Sequence, residues 1–318
     1  MTTRNTLMTL SAAVAIGAMV LAGCGDKTDP RGGGGRGRKL TIAYVGYSSS
    51  TPFWITLKNG GAAKAGELGV DFLDLTAAKP EMDQQRLAIS NAILKKVDGL
   101  VIGPVDSRGL KASFDKAQQA GIPVVTVDTR VDHPAVRSHV ATDNVAAANL
   151  AGQYIVKRLG GKGKVLILGG ITGSQTADDR RGGVEKLCKA AGMTVIFRPA
   201  DWDEAKANQI TQNELGANPD LAAIFAACDP MIITAKQAVK AKGMLGKVVL
   251  VGFDAIPACL RAVRAGEVDA TIRQDPARMG REGVELMVKL LGGEQIPPAV
   301  PIAAVVIDKN NVEEYLDK

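Results

Sequence analysis

Acids, amides and aromatic rings gather at particular places in this chain. Tyr47 to Trp54, Asp128 to Arg130, Gly170 to Arg180, Asp201-Trp202, Cys228-Asp229, Phe253-Asp254 and Gln274-Asp275 each follow a short apolar run, as does the plainer segment Gly103 to Ser107. Both tryptophans fall in these segments, although the chain has only two Trp, four Tyr and six Phe. Aromatic faces stack on the C–H faces of a sugar ring. Carboxylates, amides and guanidinium groups bond vicinal hydroxyls in pairs. The pattern therefore points to binding of a polyhydroxylated small molecule. A lone aromatic at one such place would be ordinary core packing; four together favour a binding wall.

Other chemistries find less support. No GxSxG, HExxH or Walker sequence is present, and the acids resemble hydroxyl ligands more than an acid/base pair, so no catalytic residue is assigned. His133 and His139 lack partners at metal-ligand spacing and are expected on a loop and a strand. Cys188, Cys228 and Cys259 form no CxxC pair and no disulfide framework. Neither a metal nor a cofactor is expected.

The elements that must position these residues follow from the apolar runs. LTIAYVG, VDFLDL, GLVIG and IPVVTVD read as buried parallel strands, with helices opening near Phe53, Glu81 and Ser107 between them. RSHVATDN resets the pattern. A second series then runs KVLILGG, TVIFRP, LAAIFAA and KVVLVGFD, with helices near Val145, Gln175, Asp203 and Pro230. VDATIRQ, a helix from Pro276 and a last strand PIAAVVI complete it. The fold class is α/β, two doubly wound parallel-sheet lobes. In such sheets ligands bind beyond the carboxyl ends of the strands, where the chemistry-bearing residues sit.

The amino terminus carries Arg4 and then a run of about a dozen apolar or small residues, Leu10 to Leu21, which is too short for a membrane span of roughly 20. It ends in Leu21-Ala22-Gly23-Cys24, which resembles a bacterial lipobox, so residues 1–23 are expected to be a removed signal and Cys24 the lipidation site. Residues 24–38, with four consecutive glycines, read as a flexible tether. The net charge of +6 is concentrated there. Residues 25–39 hold five cations against two acids and Arg4 adds one, leaving +2 for the body from Leu40. That is no nucleic-acid face, so nucleic acid is not an expected partner. Anionic lipid head groups suit the basic tether better.

In order and spacing, TPFWITLKNGG, GPVDSRGL, AGIPVVTVD, SHVATDN, ADDRRGG, PADWD, FAACDPM, VGFDAIP and ATIRQDPARMG resemble the ribose/galactose-type periplasmic binding proteins of ABC importers. The likeness spans about residues 40–307. It implies the type I architecture, with a three-segment hinge near Thr142-Asp143, Gln274-Asp275 and Ile302-Ala304. The first lobe would comprise 39–142 and 275–303, the second 143–274 and 304–318.

The resemblance also implies Phe53, Trp54, Trp202 and Phe253 as apolar walls, and Asp128, Asp254 and Gln274 as hydroxyl ligands. Thr51 stands where ribose binders often carry Asn. Cys228 and Gly103 each replace an Asn, and Thr129 and Asp178 each an Arg, with Arg180 and Arg130 as nearby guanidinium sources. Such a site suits another pentose, a hexose or a polyol. The implied function is extracytoplasmic capture of a monosaccharide or polyol by a lipid-anchored monomer that delivers it to the importer's membrane subunits. A receptor for a sugar or furanosyl signal, feeding a chemoreceptor or sensor kinase, is the alternative. A sugar-responsive repressor would need an N-terminal helix-turn-helix where this chain has its signal and tether.

Overall fold

The computed structural model describes residues 38–316. The signal, Cys24 and nearly all of the tether lie outside them. From Lys39 onward the chain forms one compact unit.

The first lobe opens with β1 (Thr41–Val45), α1 (Pro52–Leu68), β2 (Asp71–Asp74), α2 (Met82–Leu94), β3 (Gly99–Ile102), α3 (Lys111–Gln119), β4 (Val124–Val127) and β5 (Val136–Thr142). The second lobe runs α4 (Asn144–Leu159), β6 (Lys164–Gly169), α5 (Gln175–Ala190), β7 (Thr194–Pro199), α6 (Glu204–Ala217), β8 (Leu221–Ala226), α7 (Asp229–Ala241), β9 (Val249–Asp254), α8 (Pro257–Arg264) and β10 (Ala270–Arg273). The chain returns as α9 (Pro276–Leu291) and β11 (Ala299–Ile302), then crosses again into β12 (Val305–Asp308) and a 3₁₀ turn, Val312–Tyr315. Strand order is β11-β5-β4-β3-β1-β2 in one sheet and β12-β10-β9-β8-β6-β7 in the other. All pairings are parallel except β10 with β12.

The central strands are largely apolar and almost wholly buried because helices cover both faces. Every residue of β3 and β4 is buried. The last apolar run, expected as a single strand, divides between the two sheets: β11 pairs with β5, and β12 with β10. The helix expected from Ser107 starts at Lys111 instead. The Asp106 carboxylate accepts the backbone N–H groups of Arg108 (2.6 Å) and Gly109 (2.7 Å), holding those residues in a turn.

Three segments pass between the lobes, and two enter a helix at once. Asp143 caps α4 by accepting the Ala146 N–H (3.0 Å), and Asp275 caps α9 through Arg278 N–H (3.0 Å). Caps of this kind contribute about 1 kcal/mol each and fix where the crossing ends. In the first lobe α1 lies directly on α9. A Cβ on Gly60 would stand 2.1 Å from the Ala277 carbonyl oxygen, and one on Gly280 1.9 Å from that of Leu57. Only glycine permits that approach.

Candidate functional site

Between the lobes lies a cavity of about 350 Å³, bordered by the carboxyl ends of the strands of both sheets. Tyr47, Thr51, Phe53, Trp54, Val105, Asp128 and Thr129 line it from the first lobe, with Pro80. Ser174, Thr176, Arg180, Asp201, Trp202, Asp203, Cys228, Pro230 and Asp254 line it from the second, with Gln274 at a crossing. Across the lips, the Thr176 hydroxyl donates to the Asp128 carbonyl oxygen (3.4 Å) and the Gln175 N–H to Ser107 Oγ (3.5 Å).

Each lobe seats a tryptophan on a strand-end glycine. A Cβ on Gly103 would lie 2.2 Å from the Trp54 ring, and one on Gly170 2.0 Å from the Trp202 ring. Gly103 is thus the platform of an aromatic wall, which is why an amide side chain is missing there. Trp54 is buried, stacked on Tyr47 at 5.7 Å and edge-on to Phe53 at 5.4 Å. Trp202 is half-buried beside Arg180.

Arg180 organises the second lobe's wall. Its guanidinium donates to Asn144 Oδ1 (2.8 Å) and to the Ala227 carbonyl oxygen (2.8 Å). It lies 3.9 Å above the Phe253 ring and 3.6 Å from the Asp254 carboxylate. Asp254 also accepts from Gln274 Nε2 (2.6 Å), whose Oε1 accepts from the Thr142 hydroxyl (2.6 Å). One cavity carboxylate is thereby wired to two of the three crossing segments. Burial pushes the Asp254 carboxyl up, Arg180 opposes that, and the nearby Asp229 carboxylate adds to it. Asp229 is itself fully buried, accepting from Thr271 Oγ1 (2.7 Å) and Ile256 N–H (2.9 Å), and burial raises its carboxyl too.

Asp128 is 9% exposed and accepts from the Thr129 hydroxyl (2.9 Å). Burial raises its carboxyl, with Arg180 and Thr129 pulling the other way. Burial likewise raises the Cys228 thiol, well above the usual range, and the Tyr47 phenol, up to about 12.

Backbone strain collects here. Six described residues other than glycine have positive φ, and four of them line the cavity: Asp128 (62°), Asp201 (56°), Trp202 (60°) and Asp254 (122°). Each costs about 1–3 kcal/mol, and such strain concentrates where side chains must be aimed at a ligand. For a residue as bulky as Trp202 it is a genuine outlier.

Of the residues singled out in the sequence, Thr51, Phe53, Trp54, Asp128, Arg180, Trp202, Cys228, Asp254 and Gln274 border this one space. Asp178 does not. It is exposed on α5, because residues two apart on a helix face away from one another while Arg180 turns inward. Phe253 is not a wall either: fully buried, it forms the floor under Arg180. Arg130 borders a neighbouring cavity with Arg108 and Lys111.

Sequence reasoning missed Gln85, a buried amide on α2. It donates to the Gly46 (3.0 Å) and Gly103 (2.8 Å) carbonyl oxygens and accepts from Val105 N–H (2.8 Å), tying three loop segments of the first lobe together. A glutamine within MDQQRLAIS looks like any polar helix residue, so nothing in the sequence marked it.

His133 stands in the loop after β4, 3.0 Å from Asp115; His139, on β5, shares a hydrogen bond with Thr126 Oγ1 (2.9 Å). Cys188, Cys228 and Cys259 are buried free thiols. Among the described residues no group of three or more His, Cys, Asp or Glu side chains could hold a metal ion, and no helix is long and apolar enough to cross a membrane.

The family model described as periplasmic binding protein domain matches residues 42–295. The ribose import binding protein of Salmonella typhimurium is 35% identical over 308 residues, covering 95% of this chain and 98% of its own. Among solved structures, an ABC transporter periplasmic solute binding protein from Actinobacillus succinogenes with bound D-allose superimposes with a TM-score of 0.82 at 31% identity, covering 87% of this chain and 100% of its own. A solute binding protein from Agrobacterium vitis bound with α-D-tagatopyranose gives 0.84 at 30% identity, with 87% and 97% covered. Two parallel-sheet lobes, three crossings and a cavity lined from both sides are what a match of that extent would require, and the chain belongs to the periplasmic binding protein family.

Proposed function

We propose that this protein is an extracytoplasmic solute-binding protein that captures one monosaccharide or polyol between its lobes and delivers it, unchanged, to the membrane subunits of an ABC importer. The observation that carries the reading is the composition of the interlobe cavity. Trp54 and Trp202 supply stacking faces from opposite lobes, and Asp128 and Asp254 supply paired acceptors from opposite lobes. A volume near the lower end of the about 300–1,000 Å³ found for small-molecule sites suits a single sugar better than an oligosaccharide. The ribose, allose and tagatose of its relatives support a five- or six-carbon ligand. Contacts from both lobes give the ligand more partners in the closed form than in an open one, so binding favours closure. Cys24, as the lipidated first residue of the mature chain, would hold the monomer at the envelope, with residues 25–38 as tether.

Thermal-shift and tryptophan-fluorescence titrations of the full chain with ribose, allose, tagatose, galactose and myo-inositol test the binding. At a hundred times its Kd a ligand adds about 2.7 kcal/mol to stability. A stabilising sugar that also changes the emission is expected. No shift with any pentose, hexose or polyol would refute the reading, and a chromatographically new product would refute the absence of turnover. The anchor has its own test: Cys24→Ala should release the chain from membranes, and full membrane retention with a processed signal would refute lipidation.

A further inference from the structure

The two halves of the cavity differ in charge. On the second lobe's side three acids line the cavity and each is engaged: Asp254 faces the Arg180 guanidinium at 3.6 Å and accepts from Gln274, Asp201 pairs with Lys206, and Asp203 accepts the Lys206 N–H as the cap of α6. On the first lobe's side the lining contains one acid, Asp128, and no Lys, Arg or His. Among the described residues Asp128 makes no ion pair within 4.0 Å, and one hydroxyl, that of Thr129, donates to its carboxylate. Thr129 itself is 6% exposed. Arg130, the next residue, is exposed and lines the neighbouring cavity, which Asp128 also borders, but makes no ion pair with Asp128 within 4.0 Å. A buried carboxylate costs free energy unless a cation or several donors satisfy it.

The aromatic faces repeat the asymmetry. Phe253 and Trp202 already have the Arg180 guanidinium over them, at 3.9 and 5.7 Å. Tyr47, Phe53 and Trp54 have no cation against their rings among the described residues, and all three line the same half-cavity as Asp128. A ring face attracts a cation, and a desolvated ammonium gains most. An acid with no cation in contact, Arg180 acting on it only from beyond ion-pair distance, beside aromatic rings without a cation is the chemistry of an ammonium pocket, and a neutral hydroxyl would supply no charge to it.

We infer that the preferred ligand is an amine-bearing monosaccharide or polyol, whose protonated amine sits in the first lobe's half of the cavity against Asp128 and the Tyr47, Phe53 and Trp54 rings while its hydroxyls face the second lobe. This rests on the binding reading above and narrows its ligand class.

The test compares matched pairs by calorimetry on the full chain at pH 7: each 2-amino-2-deoxyhexose of the gluco, galacto, manno and allo series against its parent hexose, 1-amino-1-deoxyhexitols against hexitols, and an aminodeoxyinositol against myo-inositol. At least one amine should bind ten- to a hundredfold tighter than its hydroxyl parent, and N-acetylation, which removes the charge, should abolish the preference. Asp128→Asn, which keeps the shape and tolerates the positive φ of this position, should reduce the amine's advantage at least tenfold, with its unliganded melting temperature as the folding control. Parent sugars that bind as tightly as every amine, or an Asp128→Asn variant that keeps the preference, would overturn the inference and leave the sugar-binding reading intact. No binding by any member of either set would overturn both.

Discussion

Replacing Arg180 by Met removes the charge and the hydrogen bonds of the second lobe's wall while keeping an apolar stem over Phe253. Asn144 Oδ1 and the Ala227 carbonyl oxygen each lose a donor at 2.8 Å, and the Asp254 carboxylate loses a cation at 3.6 Å. A buried acceptor left without its donor costs about 1–3 kcal/mol, so the variant should lose about 3–5 kcal/mol in all. For a body of this size that lowers Tm by about 6–10 °C. The loss should also depend on pH. Burial raises the Asp254 carboxyl above its unfolded value and Arg180 opposes that rise, so removing Arg180 drives it further up. With the native state then binding more protons than the unfolded chain above pH 4, stability falls as pH rises through the window between the two values. The wild-type carboxyl, itself raised to about 8, follows the same course below that value, so the two proteins part only above it, and the Tm deficit at pH 9.5 should exceed that at pH 6, measured by calorimetric melting of both proteins in both buffers. An equal deficit at the two pH values would show that Arg180 acts as packing alone, and no deficit at either would refute its place as organiser of the wall.

Gly103→Ala and Gly170→Ala each drive a Cβ into a tryptophan ring, at 2.2 and 2.0 Å. Each should weaken sugar binding at least tenfold, about 1.4 kcal/mol, and fluorescence titration at unchanged affinity would remove the tryptophans from the wall. Gly280→Ala places a Cβ 1.9 Å from the Leu57 carbonyl oxygen, away from the cavity; melting should show about 1–3 kcal/mol lost to overpacking with little change in affinity. His139 is held neutral down to about pH 4, first by burial and then by Arg130, against 6.5 for a free side chain, while Thr126 pulls the other way. The unfolded chain binds the extra proton between those values, so up to about 3 kcal/mol is lost as pH falls from about 6.5 to 4. His139→Gln should flatten the Tm profile across that window, and a slope equal to the wild type's would contradict the assignment.

How far the fold was legible follows from its central strands. GLVI and VVTV are buried at every position, with Thr126 the one polar side chain, because both faces are covered, and such runs with helices between them imply parallel sheets from composition alone. The strand ends were legible for the same reason, since polar and aromatic residues there have no core to enter. The last run was not, because PIAAVVI is continuously apolar while its halves belong to different sheets. The short helix α8 also escaped notice, being only eight residues long. In the site, the resemblance supplied Asp178 in place of an arginine, but helix phase decides which residue of ADDRR turns inward, and that residue is Arg180. The supporting amides Gln85 and Asn144 were illegible, because their partners are backbone atoms or side chains far away in sequence.

Calorimetric titration of the full chain with pentoses, hexoses, cyclic polyols and their amino derivatives decides whether it captures one small polyhydroxylated molecule between the lobes. At least one of them should give saturable heat, with one ligand per chain and a Kd of about 1 μM or tighter, that is at least about 8 kcal/mol of binding free energy. That heat should fall at least tenfold in affinity in both Asp128→Asn and Asp254→Asn. Absence of heat across the whole panel, or binding that neither substitution weakens, would contradict that capture.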